Sequence, residues 1–573
     1  MKNVKKVLLI LLASLLSIAG VIALTACDPE EPAPQPYTQS IATAEDFKAL
    51  SEKQGEASSY GTFTLTNDID LGAEYMPSGV GVDTSFRGVF DGQGHKITYT
   101  ITQQATAPTS DEEQLTAQAT RYWGLFGYLY NATVKNLTVE VNIDVDADSE
   151  VTYIGGLAAF AYGSVKLENV TVNGDIELGY GYLPPYNATL GTGYKLTAFT
   201  GGAIGYAEGK DIALSGVKTD VNISVAGRSM LNDRGTLDDV YAGGIAGLIR
   251  TENNTSTGTT YITASDVVAG GDLNVNAAAV TVGGLYGLAQ RTNVSGALFT
   301  GKVAVYGSGK VVAGGIAGVH DRGTIATAAV SGSADVATTA PAVRLDVGRL
   351  GGESNKYLAS VGGIAGYVSF GTVTDSVAVT DIAMLAYGQN NYSGGIVGQL
   401  YNGTLLNVAA MGSCDTLFSM NSTSNQKDNH GQYAAAGGIA GRIYGRSSFD
   451  KVYSGMSGVY QGIAGEIVDG VETVTLEEGQ TVQGLFPGYV AFNAANAATA
   501  AGTYQAIGEE GENKYMVTHR TSQGTALFTS ATVETVNKTL YYDYYAENGL
   551  STPGEKVVGV ETEFDGIVNK INE

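Results

Sequence analysis

The sequence GGIAG occurs four times, at residues 243–247, 314–318, 362–366 and 437–441. Variants are interspersed: GGLAA at 155–159, GGAIG at 201–205, GGLYG at 283–287 and GGIVG at 394–398, with an early WGLFG at 123–127 and a degenerate QGIAG at 461–465. We refer to this five-residue motif as the pentad. A short motif that recurs along a chain indicates a repeat architecture, in which each unit packs on its neighbours.

Two further patterns follow most pentads. The first is apolar-x-Asn/Ser/Asp-apolar, as in VKNL at 134–137, LENV at 167–170 and LLNV at 405–408; the second is a turn pair before apolar-x-apolar, as in GDIEL at 174–178 and GKVAV at 301–305. The unit thus has three short strands in about 22–24 residues. This predicts an all-β, right-handed parallel β-helix (β-solenoid) of about ten three-strand coils. The alternative, a β-propeller, would need four antiparallel strands per blade. Asn136, Asn169 and Asn407 are expected to form a polar ladder at a corner.

The domain boundaries follow from where the pentads begin and decay. Residues 41–120 are predicted to form an N-terminal cap region, residues 121–499 the repeats, and residues 500–573 a C-terminal cap or small end domain. Within the first cap, residues 43–53 predict a short helix with Thr43 as N-cap and with Phe47 and Leu50 on one face. Residues 86–101 predict strand, tight turn, strand.

Composition excludes some classes of partner. The formal net charge is −25, which argues against nucleic-acid binding and against adsorption to anionic lipid through a basic patch. Glycine is abundant, with 78 residues, and proline is scarce, with 11. A long chain with few prolines suits uninterrupted ladders of backbone hydrogen bonds.

Residues 1–27 have the pattern of a targeting segment. Lys2, Lys5 and Lys6 precede an apolar stretch that ends in Leu24-Thr25-Ala26-Cys27. This resembles a bacterial lipoprotein signal peptide, and the resemblance implies cleavage before Cys27 and lipidation of that cysteine. A transmembrane anchor is the alternative. Residues 28–40, which begin DPEEPAPQP, then form an acidic, proline-rich tether. Both hypotheses place the body of the protein outside the cytoplasm.

The chain has two cysteines. With Cys27 lipidated, Cys414 has no disulfide partner. The motif GSC at 412–414 aligns with GDI at 174–176, so Cys414 is expected at an inward, apolar position as a buried structural thiol.

The pentad followed by TVKNLTV at 133–139 resembles the GLUG motif. NDIDL at 67–71 and FRGVFDGQGHKI at 86–97 resemble the segment that commonly precedes such repeats. GLUG repeats occur in bacterial surface proteins, including adhesins and the non-catalytic part of a family of IgA-cleaving metallopeptidases. The resemblance covers roughly residues 41–470 and, together with the LTAC sequence, implies a lipid-anchored bacterial surface protein. Protease activity is not carried over from the family, because the sequence lacks HExxH.

Metal and enzyme signatures are weak. Asp144, Asp146 and Asp148 resemble the start of a calcium loop, but positions six and twelve are Ser149 and Gly155 rather than Gly and Glu. The acids at 140–146 alternate with apolar residues, as on a solvated strand face, so calcium is only a weak cofactor candidate and no other cofactor is predicted. Parallel β-helices also include polysaccharide lyases and hydrolases, which makes a carbohydrate-active enzyme the alternative function, although no carboxylate pair stands out.

Candidate insertions lie between the third strand and the next pentad, at 179–199, 226–240, 337–358 and 418–434, with shorter ones at 306–312 and 385–392. Insertions at one corner of each coil would decorate one side of the rod. Tyrosine and asparagine are suited to recognition, although these segments could equally be solvated loops. The expected function is adhesin-like binding of a host or bacterial protein or glycan, with a spacer role as a further possibility. The candidate ligand-binding residues are Tyr180, Tyr182, Tyr186, Tyr194, Tyr387, Asn390, Asn391 and Tyr392.

Overall fold

The structure is a computed structural model. It describes residues 38–52, 61–73, 75–77, 82–104, 118–147, 149–179, 196–227, 238–252, 260–307, 310–338, 358–387, 391–419, 434–444, 447–464, 467–468, 471–472, 483–485, 501–507 and 533–536. Parallel strand pairing in register dominates these residues, as a parallel β-helix requires. The predicted fold class is confirmed.

The chain begins with β1 (Thr38–Ile41), helix α1 (Ala44–Glu52), β2 (Thr62–Leu65), β3 (Ile69–Asp70), a 3-10 turn (Val82–Thr84), β4 (Val89–Asp91) and β5 (Lys96–Gln103). The predicted helix is present. Thr43 Oγ1 accepts from the Asp46 N–H at 3.2 Å, and Asp46 Oδ2 accepts from the Thr43 N–H at 3.0 Å, a reciprocal cap. Phe47 is buried and packs on Phe90 and Phe126, so the helix covers the first coils.

The strands of this region belong to the solenoid itself. β1 pairs with β2 and β2 with β4, all parallel. The predicted strand–turn–strand over residues 86–101 is present, with Gln93 and Gly94 at positive φ in the turn. β4 and β5 do not pair with each other. Both pair instead with the strand at residues 133–146 of the next coil.

Each later coil contributes to three walls. Wall A holds the strands that lead into the pentads, and its nine described strands form one sheet. They are β6 (Gln118–Trp123), β9 (Ser149–Gly155), β12 (Thr197–Gly201), β16 (Asp239–Gly243), β20 (Ala279–Gly283), β24 (Lys310–Gly314), β26 (Leu358–Gly362), β28 (Asn391–Gly394) and β31 (Ala434–Gly437).

Wall B follows the pentad. Its separate strands are β7 (Phe126–Tyr130), β10 (Ala158–Tyr162), β13 (Ile204–Gly209), β17 (Ala246–Thr251), β21 (Tyr286–Gln290), β29 (Val397–Tyr401) and β32 (Ala440–Tyr444). Two long strands, β25 (Ala317–Thr338) and β27 (Ala365–Tyr387), run through walls B and C without interruption.

Wall C closes the coil. Its strands are β8 (Thr133–Asp146), β11 (Lys166–Gly179), β14 (Ala213–Ser215), β15 (Lys218–Ala226), β18 (Ile262–Ala269), β19 (Leu273–Ala277), β22 (Thr292–Phe299), β23 (Val303–Gly307), β30 (Thr404–Ser419) and β33 (Ser448–Ala464). The remaining strands are β34 (Ile467–Val468), β35 (Val471–Glu472), β36 (Gln483–Leu485), β37 (Ala501–Ile507) and β38 (Val533–Val536). β37 and β38, in the segment predicted to be a C-terminal cap, continue the parallel stacking on β33.

Wall C bends where the sequence places its asparagines. Asn136, Asn169 and Asn407 have φ of 50°, 54° and 54°. The Asn169 amide donates to Asn136 Oδ1 at 3.3 Å, and the Asn407 amide donates to Asp375 Oδ1 at 2.7 Å. The predicted polar ladder is therefore confirmed, and it forms at a left-handed corner that few residue types adopt without strain.

The interior of wall C is an aliphatic column in register. Ile143, Ile176 and Ile223 stack on successive coils, and the same column continues through Ile382 to Cys414. Cys414 is fully buried and unbridged, and its thiol donates to Ser393 Oγ at 3.3 Å. The predicted inward position of Cys414 is confirmed.

The pentad spans a corner: its first residue ends a wall A strand, its second and third residues form the bend, and its last two begin a wall B strand. Its middle residues join wall A to wall B and stack on the next pentad through backbone hydrogen bonds, such as Gly156 N–H to Gly202 C=O at 3.1 Å. A Cβ on Gly156 would lie 2.5 Å from that carbonyl and 2.7 Å from Val172 Cγ1 of wall C. The second pentad residue must therefore be glycine, because a Cβ there would collide with the backbone of the next coil and with a side chain of wall C.

This placement corrects the predicted assignment of the three strands within each repeat unit. The flanks of the pentad are two strands, in walls A and B, and the two remaining patterns are the halves of a bent wall C strand. The predicted insertions at 306–312 and 385–392 therefore overlap strands β24 and β28. Wall A carries apolar side chains on both faces, so its sequence lacks the alternation by which the other strands were recognised.

Candidate functional site: the aromatic corner

The exteriors of walls A and B meet beside the first pentads and carry seven aromatic side chains. We define this set as the aromatic corner: Tyr122, Tyr128, Tyr153, Phe160, Phe199, Tyr206 and Tyr241. Phe199 and Tyr206 belong, with Leu248, to a hydrophobic cluster separate from the main core. The corner is therefore a second apolar centre on the outside of the coil.

Wall A contributes one column of rings to the corner. Tyr122, Tyr153, Phe199 and Tyr241 occupy the same register position on successive coils. Adjacent rings in this column are stacked, with centroids 5.2, 5.3 and 5.1 Å apart. The stack runs parallel to the rod axis over four coils, or about 15 Å.

Wall B contributes the second column. Tyr128, Phe160 and Tyr206 are stacked with centroids 4.7 and 4.8 Å apart. The two columns meet edge to face, since the Tyr153 and Phe160 centroids lie 5.0 Å apart at 85°. These rings lie on the exterior faces of walls A and B and still touch. The two walls therefore meet at an angle that is concave toward solvent.

The same edge-to-face contact forms with either residue at the fifth pentad position, which is Ala159 between Tyr153 and Phe160 and Gly205 between Phe199 and Tyr206. A Cβ on Gly205 would lie 2.6 Å from the Ala159 carbonyl and 2.7 Å from the Ile154 nitrogen, both closer than van der Waals contact permits. From the inside, the Tyr99 hydroxyl of wall C donates to the Gly156 carbonyl at 2.7 Å. The second glycine of the pentad thus lets the chain fold sharply, and wall C holds the bend from the interior.

Three hydroxyl groups of the corner have no hydrogen-bond partner among the described residues. Tyr122, Tyr153 and Tyr241 are partly exposed, and the structure records no hydrogen bond from their hydroxyls to any described residue. Burial, with a smaller contribution from Tyr122, raises the pKa of Tyr153 to about 12. Each hydroxyl therefore stays protonated at neutral pH and can donate one hydrogen bond and accept others.

A polar rim borders the corner on wall B. Arg250 Nη2 lies 2.8 Å from Glu208 Oε2, which also accepts from the Tyr206 hydroxyl at 2.6 Å. The Tyr162 hydroxyl donates to Glu252 Oε1 at 2.9 Å, and Lys210 Nζ lies 3.6 Å from Glu252 Oε2. Both cations of this rim thus face carboxylates.

The wall A column of rings ends after the fourth coil, whereas the wall B column ends at Tyr206 on the third coil and continues as Leu248 and Leu288. The positions after Tyr241 in the wall A column are Thr281, Val312 and Ser360, and Tyr392 follows them. The Tyr392 ring is 1% exposed and lies under the Arg442 guanidinium at 5.2 Å. The prediction that Tyr392 lies in an insertion loop is wrong, because the structure places it in β28 of wall A.

Most of the other predicted site residues lie outside the part of the chain that the structure describes. Cys27, Tyr180, Tyr182, Tyr186, Tyr194, Asn390 and Asp148 lie outside the described residues, and only the backbone of Tyr387 and Asn391 is described. Asp144 and Asp146 alternate with the buried Ile143 and Val145 and lie on the exterior of wall C, and Asp144 accepts from the Gln104 amide at 3.1 Å. Among the described residues, no group of three or more His, Cys, Asp or Glu side chains could hold a metal ion.

The sequence carries a signal for the corner that the analysis above missed. An aromatic residue stands two positions before the pentad at Tyr153, Phe199 and Tyr241, and another stands five positions after its first glycine at Phe160 and Tyr206. Each pair brackets a glycine corner. When the pentads are aligned with one another, that spacing places both aromatic rings beside the same bend.

Comparison with known proteins gave no matching family model and no similar curated protein. The likeness to GLUG repeats therefore rests on the motifs quoted above. The architecture and the aromatic corner carry the functional argument.

Proposed function

We propose that this protein is a lipid-anchored rod on the bacterial cell surface that binds a host or bacterial macromolecule, in the manner of an adhesin. The aromatic corner is the observation that carries this proposal. Monomeric proteins seldom leave a continuous aromatic strip on their exterior unless it contacts something. Here the wall A column extends over four coils. Tyr122, Tyr153 and Tyr241 are partly exposed, Phe199 is buried between them, and the three hydroxyls have no described partner.

The anchoring half of the proposal depends on the leader. The LTAC sequence at 24–27 supports lipidation of Cys27, and the proline-rich residues 28–40 would hold the rod away from the bilayer. None of the helices in the described ranges has the length and apolar character needed to span a membrane. In cells fed a clickable fatty acid, we expect the wild type to be labelled and to fractionate with membranes, whereas Cys27→Ala is unlabelled. Membrane association of an unlabelled wild type would contradict lipid anchoring.

The competing hypothesis is a carbohydrate-active enzyme. The carboxylates of the rim are Glu208 and Glu252, and each is engaged by a cation and a tyrosine hydroxyl. We therefore favour binding without turnover. The test is a glycan and protein array probed with the full chain, run beside a reducing-sugar assay on neutral and acidic polysaccharides. Binding without sugar release is expected, and release with turnover would refute the non-enzymatic proposal.

A further inference from the structure

We infer that the aromatic corner binds a neutral polysaccharide whose chain lies parallel to the rod axis. This inference rests on the proposed surface-binding function and names the class of ligand. It follows from the polar groups of the corner, from the hydrogen bonding of its walls, from its charge and from its repeat.

The surface of the corner is amphipathic on the scale of a sugar ring. Ring stacking covers the faces of Tyr153 and Phe199, because each has a neighbour on both sides. The corner therefore presents ring edges and phenolic hydroxyls to solvent. Sugars combine apolar C–H groups with hydroxyls that both donate and accept, so they can contact the ring edges and hydrogen-bond to Tyr122, Tyr153 and Tyr241.

The walls offer little to a peptide backbone. An extended peptide gains affinity by adding a strand to an open sheet edge. In walls A and B, the strands β9, β12, β10 and β13 pair with the coils before and after them, so their backbone groups are already bonded. β6, which carries Tyr122, is an edge strand of the described wall A sheet. The open edges of a solenoid lie at its two ends. A ligand that lies along this corner must bind through side-chain groups, as a polysaccharide can.

The charge of the site selects against acidic ligands. The two cations of the rim are paired, Arg250 with Glu208 and Lys210 with Glu252. Asp239 stands two residues before Tyr241 and, after burial, contributes to raising the pKa of that tyrosine. With a chain charge of −25, a uronate or sulfated chain would meet like charge, and both described cations of the rim already face carboxylates, which disfavours its binding.

The repeat of the corner matches a repeating ligand. Coils are spaced about 4.8 Å apart, and the wall A column presents a tyrosine hydroxyl on the first, second and fourth of its coils. Successive sugars of an extended chain advance by a comparable distance, so equivalent contacts can recur along the rod. Several weak contacts on one chain then add to a useful affinity.

The test is affinity electrophoresis of the full chain, in a detergent without a sugar headgroup, through gels that contain neutral or acidic polysaccharides. The variant Tyr122→Phe/Tyr153→Phe/Tyr241→Phe removes the hydroxyls and keeps the rings. Phe160 and Phe199 already occupy these columns, so the variant should unfold at the wild-type temperature. The control Tyr261→Phe/Tyr306→Phe removes two exposed tyrosine hydroxyls outside the corner.

We expect at least one neutral polysaccharide to retard the wild type and the control equally, and to bind the triple variant at least about tenfold more weakly. Equal retardation of the triple variant would overturn the inference, as would the failure of every neutral polysaccharide. Binding to an acidic polysaccharide or an arrayed protein alone would also overturn it but would leave the proposed surface-binding function standing.

Discussion

Substitutions of Asn169 test whether the positive-φ corner of wall C determines the stability of its coil. Its φ is 54°, and its amide donates to Asn136 Oδ1 at 3.3 Å. Replacement by alanine keeps a Cβ in a conformation that costs an L-residue about 1–2 kcal/mol and removes a hydrogen bond worth about 1 kcal/mol. Replacement by glycine loses the hydrogen bond alone. Gly216 and Gly296 already occupy the equivalent position in later coils, with φ of 63° and 61°.

We therefore expect Asn169→Ala to destabilise its coil by about 2 kcal/mol and Asn169→Gly by about 1 kcal/mol. This order reverses the usual one, since glycine inside an ordinary strand is about 0.5–1 kcal/mol worse than alanine. Asn173 is the matched control. It lies in the same strand, donates to Glu140 Oε1 at 3.2 Å and has no positive φ. At Asn173, alanine should be the milder replacement.

Amide hydrogen exchange of peptides from β8 and β11 is the suitable assay, because long repeat arrays need not unfold in one step. Exchange of the least accessible amides should accelerate about 30-fold in Asn169→Ala and about 5-fold in Asn169→Gly. If glycine proves worse than alanine at position 169, or if both positions show the same order, the reasoning about the corner is wrong.

Two further predictions concern other parts of the coil. Gly244→Ala would place a Cβ 2.6 Å from Ala269 Cβ, so we expect a loss of about 1–3 kcal/mol in thermal unfolding, against no change for the exposed Ser224→Ala. Burial lowers the pKa of His320 to about 4; because the unfolded histidine takes up its proton near pH 6.5, stability should fall by about 3 kcal/mol as the pH drops from 6.5 to 4. His320→Leu should abolish this part of the pH dependence, and an unchanged slope in pH-dependent unfolding would contradict it.

The parts of the fold that follow from local pattern were predictable from the sequence. Cys414 could be placed in the interior because a turn pair fixes the phase of the alternation that follows it. Asn136 and Asn169 could be placed at a corner because each interrupts an apolar pattern with a residue that tolerates positive φ. Each of these predictions requires only the sequence of a single coil.

The aromatic corner could not be reached in this way. It depends on the angle between walls A and B, which is set by the second glycine of the pentad and by side chains such as Tyr99 that reach it from inside. It also depends on exterior residues that are apolar, so Tyr153 and Phe199 conceal the alternation that identifies a strand. For this reason the sequence analysis sought the ligand in the insertions and missed the strands beside them.

Hydroxyl-radical footprinting of the full chain, with and without the neutral polysaccharide that retards it most, tests the central claim most directly. The account predicts that the ligand protects Tyr122, Tyr153 and Tyr241 from oxidation, while the exposed Tyr306 of wall C reacts at the same rate in both samples. Protection of Tyr306 with unchanged oxidation of the three corner tyrosines would contradict it.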